Sequence, residues 1–406
     1  MGEPKLRFKA DDGSDFPDWD EMMLGDVGSV AMCKRVFKEQ TCGVGDVPFF
    51  KIGTFGGAPD SYISQSLFDE LKSKYAYPKV GTILLSASGT IGRQVEYKGE
   101  DAYYQDSNIV WLEHDDTVLD GYLKQFYSVV KWQGLEGSTI KRLYNKTILD
   151  TPFYRPSLPE QRKIADFLSA VDAVIAAQQA EVDAWEQRKK GVMQKLFSQE
   201  VRFKADDGSE FPKWEEKTLG EEGQFYGGLS GKGKDDFDCG NGRFVTYMNV
   251  YKNTFASRDA MGRVKVGDAE KQNKVRYGDI LFTQSSETVD EVGLSSVYLY
   301  NDEPYLNSFC MGYRFNNLDN VCPEFIGYCM RSNEIRKSIM LMGQGISRIN
   351  LGAKRLATVK YKIPSLPEQR KIADCLSSMD EVIQKAKDEL AKWRELKKGL
   401  LQQMFV

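Results

Sequence analysis

Leu85-Ser-Ala-Ser-Gly-Thr-Ile-Gly-Arg93 is a run of small and hydroxyl residues that ends on an arginine. Small hydroxyl residues let backbone amides come close to a phosphate or a base edge. Ser88, Thr90 and Arg93 are the donors that such a surface would use. Phe282-Thr-Gln-Ser-Ser-Glu287 is the counterpart run further along, with Gln284, Ser285 and Ser286. A glutamine there suits the N6/N7 edge of adenine. A plain surface hairpin is the alternative reading of both runs.

A second pair of segments carries a glycine, a hydroxyl and a basic cluster. Gly137-Ser138-Thr139-Ile-Lys141-Arg142, followed by Lys146, aligns 208 positions ahead of Gly345-Ile-Ser347-Arg348-Ile-Asn350 with Lys354-Arg355. A solvated helix start would look similar. Two further basic clusters, Lys34-Arg35 with Lys38 and Lys232 with Lys234, would serve as phosphate clamps or merely as charged loop tips.

Enzyme chemistry is harder to place. An adenine methyltransferase needs a glycine loop for its cofactor and an Asn/Asp-Pro-Pro-aromatic segment, and neither occurs. Gly227–Lys232 has the wrong spacing for a nucleotide-binding loop, and Gly233 follows its lysine. Pro59-Asp60 with Glu70-x-Lys72 imitates a metal nuclease, yet Gln65–Lys74 reads as helix where that chemistry needs a strand. The seven cysteines contain no C-x-x-C pair, and with the single His114 they make no zinc cage. They read as reduced, mostly buried thiols. His114 lies in Glu113-His-Asp-Asp, read as a solvated acidic turn. No catalytic, cofactor-binding or metal residue emerges.

At 406 residues the chain suits two or three folding units. Its net charge of −4 neither demands nor forbids nucleic acid, because binding responds to local basic faces. No run approaches the length of apolar sequence that spans a bilayer, and the start lacks a signal pattern. The expected location is the bacterial or archaeal cytoplasm.

The elements that position these residues show in an internal repeat. RFKADDGSDFP at 7–17 returns as RFKADDGSEFP at 202–212, and SLPEQRKIAD at 157–166 returns identically at 365–374. VMQKLF at 192–197 answers LLQQMF at 400–405. Each unit is thus a variable globular segment followed by a near-identical helix. Ser157-x-x-Glu160 reads as a capping box with Pro159 in the first turn.

Beyond it, Ile164, Val171, Gln178, Trp185 and Val192 recur every seven residues, interleaved with Leu168, Ile175, Val182, Lys189 and Leu196. The second copy repeats the seam with Ile372, Met379, Ala386, Trp393 and Leu400, and with Leu376, Ile383, Leu390, Lys397 and Met404. A seven-residue period sustained this long marks a coiled coil about 60 Å in length. The other copy is the obvious partner, and an antiparallel pairing is permitted. Helices lying separately on their own domains are the alternative.

The variable segments read as mixed α/β. Phe49–Ile52, Thr82–Ser86 and Ile109–Leu112 are expected strands, and Gly121–Trp132 an expected helix. In the second segment Phe244–Val250, Ile280–Thr283, Val297–Tyr300 and Met311–Phe315 are expected strands, and Pro323–Ile339 a helix. Glu-Phe-Pro-Lys-Trp at 210–214 closes the linker between the units.

The arrangement resembles the specificity subunit of type I restriction–modification enzymes across the whole chain. The residues that carry it are SLPEQRKIADFL and SLPEQRKIADCL, Asp-Gly-x-x-Phe-Pro-x-Trp at Asp12–Trp19 and Asp207–Trp214, Gly-Thr-Ile-Leu-Leu and Gly-Asp-Ile-Leu-Phe before the polar loops, and the G-x-[ST] element. Ser285–Gly293 departs from the family loop, being longer and acidic.

The resemblance implies an α+β chain: two target-recognition domains separated by two long helices that form an antiparallel, pseudo-twofold coiled coil. The implied divisions are an arm at 1–21, a first recognition domain at 22–155, a central helical spacer at 156–200, a linker at 201–217, a second recognition domain at 218–363 and a final helical spacer at 364–406. It implies a non-catalytic chain that reads a split, asymmetric site on double-stranded DNA, with helix length setting the spacer. It further implies docking of two modification subunits, which carry S-adenosylmethionine, and of motor–nuclease subunits. A free-standing DNA-binding regulator and a coiled-coil scaffold without nucleic acid are the competing classes.

Overall fold

A computed structural model describes residues 4–132, 142–267, 269–345 and 348–405. The chain forms two compact units, Met1–Gln179 with Asp388–Val406, and Ala180–Lys387. Each unit holds one globular segment, the beginning of the long helix that follows it and the end of the other long helix.

In the first unit the strands are β1 (Asp20–Met23), β2 (Gly28–Ala31), β3 (Val47–Phe50), β4 (Tyr62–Ile63), β5 (Ile83–Ser86), β6 (Gln94–Glu96), β7 (Tyr103–Tyr104), β8 (Ile109–His114) and β9 (Pro152–Arg155). The helices are α1 (Leu24–Val27), α2 (Gln65–Lys74), α3 (Asp120–Tyr127), α4 (Asn145–Leu149) and the long α5 (Leu158–Phe197). A four-stranded sheet runs β2-β8-β5-β6, a three-stranded one β4-β3-β7, and β1 pairs with β9.

The second unit has strands β10 (Glu215–Thr218), β11 (Gly223–Gly227), β12 (Phe237–Val245), β13 (Met261–Val264), β14 (Ile280–Thr283), β15 (Ser285–Ser286), β16 (Ser295–Val297), β17 (Tyr305–Leu306), β18 (Cys310–Phe315), β19 (Ile349–Asn350) and β20 (Lys360–Ile363). Its helices are α6 (Leu219–Glu222), α7 (Tyr247–Lys252), α8 (Pro323–Met330), α9 (Asn333–Met340), α10 (Ala353–Leu356) and the long α11 (Leu366–Phe405). The sheets β11-β18-β14-β16 and β13-β12-β17 and the pair β10-β20 repeat the topology of the first unit. Two segments with little sequence in common thus share one fold.

The central strands explain why. Successive side chains of a strand face opposite ways. Ile83 and Leu85 therefore enter one core with Val110 and Leu112, while Leu84 joins Ile109 and Trp111 in another. Ile280 and Phe282 do the same against Leu281 in the second unit. A strand buried on both faces reads as an unbroken apolar run, which is how both strands stand out in the sequence.

Within each unit the two long helices run antiparallel. In the first, Lys397 Nζ donates to Asp172 Oδ1 (2.6 Å) and Arg394 Nη2 to Gln179 Oε1 (2.9 Å). In the second, Lys189 Nζ donates to Asp380 Oδ1 (2.5 Å) and Lys387 Nζ meets Glu186 Oε1 at 2.6 Å. The seam residues point inward: Ile164, Leu168, Val171, Val182, Ile372, Leu376, Ile383 and Leu390 are buried, and Ile175, Trp185, Met379 and Trp393 are half-buried. Lys189 and Lys397, odd residues for a seam, are neutralised there by the aspartates.

Several local expectations are corrected. Phe244–Val250 is not one strand: β12 ends at Val245, and Thr246 caps α7 by accepting from Asn249 N–H (3.2 Å). Pro323–Ile339 divides into α8 and α9, because Ser332 adopts an extended backbone between them. The helix expected over Gly121–Trp132 stops at Tyr127, and the strand expected at Val297–Tyr300 lies at Ser295–Val297.

Cys33, Cys310, Cys322 and Cys329 are buried, Cys42 and Cys239 exposed. No helix among the described residues is long and apolar enough to cross a membrane.

Candidate nucleic-acid interface

The fold brings the two polar segments of each unit side by side. In the first unit β5 delivers the 86–92 loop, whose Ser88 forms a bridge with Arg142. Leu143 N–H donates to Ala87 O (2.8 Å), and Ala87 N–H donates to Asn108 O (2.7 Å). Ser88 Oγ donates to Asn108 Oδ1 (3.0 Å), and Arg142 Nη2 to Ser107 O (2.9 Å). Arg142, Asn108 and Asp106 also line a cleft of about 560 Å³ with Arg35, Lys38 and Lys51.

The second unit repeats this construction with different side chains. Ser285 pairs with Asn350 and Ser286 with Ile349 across β15 and β19. Leu351 N–H donates to Gln284 O (2.9 Å), and Gln284 N–H to Phe309 O (2.9 Å). These are the bonds of Leu143, Ala87 and Asn108 over again. Asn350 also exchanges backbone bonds with Gln344 (2.7 and 3.0 Å). Gly345 (φ +134°) must be glycine, since a Cβ would strike the Arg348 carbonyl oxygen. What reads as a polar loop at 285–286 is thus a short paired strand.

The remaining nominated residues divide by how far their charge is already used. Arg93 Nη1 donates to Phe55 O (2.9 Å), and the Thr90 carbonyl accepts from Ser86 Oγ, so both brace the loop from within. Arg35 Nε is paired with Asp106 at 2.9 Å, and Lys34 lies over the Tyr75 ring at 4.9 Å. Lys232, its side chain only 5% exposed, is bound to Glu270 at 2.6 Å and pulls that carboxyl down to about 2. The Lys232 ammonium is thus already paired within the chain. Lys234, Arg348 and Lys354 are exposed. Ser138, Thr139, Lys141 and Ser347 lie outside the described residues.

The charged residues that imitate a metal nuclease are each engaged in an ion pair. Asp60 pairs with Lys51 (2.9 Å), Glu70 with Lys74 (3.0 Å) and Lys72 with Asp101 (3.6 Å). His114 is not in a solvated turn: it links β8 to α3 through Asp120.

The sequence reading missed the buried polar pair at the start of each long helix. Glu160, fully buried, accepts from Arg7 and from Trp19 rather than capping its own helix. Glu368 is held likewise by Arg202 and Trp214. The neighbouring Gln161 accepts from Leu119 N–H (2.9 Å) and donates to Thr117 O (2.9 Å), tying the start of α5 to the start of α3. Gln369 does the same with Cys322 N–H (2.8 Å) and Asn320 O (3.0 Å). The capping-box expectation fails because the carboxylates are claimed by arginines, and Ser157 and Ser365 Oγ make no hydrogen bond among the described residues. The recurrence of Arg, Trp and Glu in both copies was the available signal.

The fold is thus one architecture built twice, each unit carrying a polar edge and, at the start of its long helix, an Arg–Trp–Glu clamp. Residues 17–184 and 212–392 both match the type I restriction modification DNA specificity domain. The chain belongs to that family, whose role is DNA recognition rather than catalysis.

A chain named as a type I restriction enzyme specificity subunit in Haemophilus influenzae is 55% identical over 152 residues, 37% of this chain and 40% of that protein. The type I restriction enzyme MjaVIII specificity subunit of Methanocaldococcus jannaschii is 24% identical over 319 residues, 73% of this chain and 72% of the relative. In fold, the crystal structure of the type I restriction–modification S subunit from M. genitalium superposes with a TM-score of 0.56 at 18% identity, covering 100% of this chain and 99% of that one.

Proposed function

We propose that the chain reads a bipartite, asymmetric DNA site, one half through the edge at Ser88, Asn108 and Arg142, the other through the edge at Gln284, Ser285 and Asn350. The observation that carries this reading is the repeated hydrogen-bond frame at both edges, with the side chains upon it changed. Identical frames with unlike side chains suit unlike half-sites, since base contacts specify while backbone contacts position. The chain acts within a complex: two modification subunits carry S-adenosylmethionine and the adenine chemistry, and motor–nuclease subunits add cleavage.

Replacement of residues 218–363 by the matching segment of another such chain tests this. Sequencing of methylated adenines in cells expressing the complex should show one half of the site changed and the other kept. A change in both halves, or in neither, would overturn the two-reader function.

A further inference from the structure

Phe309 leaves a large ring 55% exposed on an edge otherwise made of amides and hydroxyls. Its backbone is fixed on both sides: its N–H donates to Asn307 Oδ1 (2.9 Å), and its carbonyl accepts from Gln284 N–H (2.9 Å). The matching place in the first unit belongs to Asn108, whose carbonyl accepts from Ala87 and whose Oδ1 accepts from Ser88. At one station of the shared frame, then, the first unit offers an amide and the second a bare ring.

Such a ring forgoes burial that a core would reward, so a ligand with apolar surface is what it can hold. In the major groove of duplex DNA the apolar feature is the thymine 5-methyl group. Gln284, whose backbone N–H is bonded to the Phe309 carbonyl (2.9 Å), is of the type that pairs with adenine.

We propose that Phe309 contacts the 5-methyl group of a thymine in the half-site read by the second unit. This rests on the DNA-reading function above and names a base feature within it.

The test uses the full chain in complex with its modification subunits, and duplexes carrying the site located by methylated-adenine sequencing. Each thymine of the second unit's half-site is replaced singly by uracil, which keeps the pairing and removes only the methyl. At one position the wild-type complex should bind the uracil duplex about fourfold more weakly, the loss of one buried methyl. Phe309→Ala should erase that difference and leave the other positions unchanged, and Phe309→Asn, the first unit's residue, should do the same. A half-site without thymine, or no position whose uracil response depends on Phe309, would overturn the proposal. Failure of the domain exchange to change the site would instead overturn the function on which it rests.

Discussion

Trp19 Nε1 donates to Glu160 Oε2 at 2.9 Å, joining the segment before the first domain to the helix that follows it, 141 residues on. Arg7 Nη2 donates to the same oxygen at 2.9 Å. Trp214 and Arg202 hold Glu368 at 3.2 and 2.7 Å. A carboxylate with no solvent exposure is tolerable only because it is paired and fully hydrogen-bonded. Glu160→Ala strands Arg7 and should destabilise the chain by about 3 kcal/mol, a typical cost of breaking a buried pair. Trp19→Phe, which loses one charge-assisted bond, should cost about 1.5–3 kcal/mol. Urea unfolding of the single variants measures both.

Asp380 accepts from Lys189 through Oδ1 and from Tyr328 through Oδ2 (2.7 Å), so one carboxylate links both helices to α8. Asp172 serves Lys397 and Gln125 (3.1 Å) in the same way. Asp380→Ala leaves Lys189 unpaired on a seam where its side chain is 15% exposed, and should cost about 1–3 kcal/mol. Combining Asp380→Leu with Lys189→Met should recover most of that loss, because apolar replacements of an ion pair are often neutral. Additive losses in the double variant would show that the pair is not the interaction at stake.

His114 supplies a pH dependence. Its Nε2 lies 3.2 Å from Asp120 Oδ1, and Nδ1 2.8 Å from the Asp115 carbonyl. The Asp120 hydrogen bond, opposed by burial and aided by Asp115, raises the imidazole pKa above 6.5. A folded value above the unfolded one means that the protonated form stabilises the fold. That contribution is fully present below the unfolded value and lost as pH rises through the raised one. Melting temperature should therefore fall more steeply for the wild type than for His114→Gln as pH rises above about 6.5, the ordinary histidine value. Parallel curves would remove His114 from the account.

Exposed cations should differ from sequestered ones in salt response. Arg348→Ala and Lys354→Ala should each weaken DNA binding across sequences and reduce the slope of log K against log salt by about 1. Lys232→Ala, whose ammonium is already committed to Glu270, should leave the slope unaltered.

The heptad seam was legible because a seven-residue period needs no tertiary knowledge to recognise, and β5 and β14 because strands buried on both faces form continuous apolar runs. Phe244–Val250 was not, since a short apolar run serves strand and helix alike, and the stop depends on Thr246 capping α7. The Trp19–Glu160 clamp spans the whole first domain, and no local pattern encodes a contact at that separation. The polar segments were nominated one by one. That Ser88 meets Arg142, and Ser285 meets Asn350, is a property of sheet topology.

Those two bridges bear most directly on the claim that each unit reads its own half-site. Arg142→Ala and Asn350→Ala sit at equivalent stations, so the methylated-adenine patterns of cells expressing each variant complex form a matched pair. Arg142→Ala should relax base preference in one half only, and Asn350→Ala in the opposite half only. Relaxation of the same half by both substitutions, or of both halves by either one, would contradict the account.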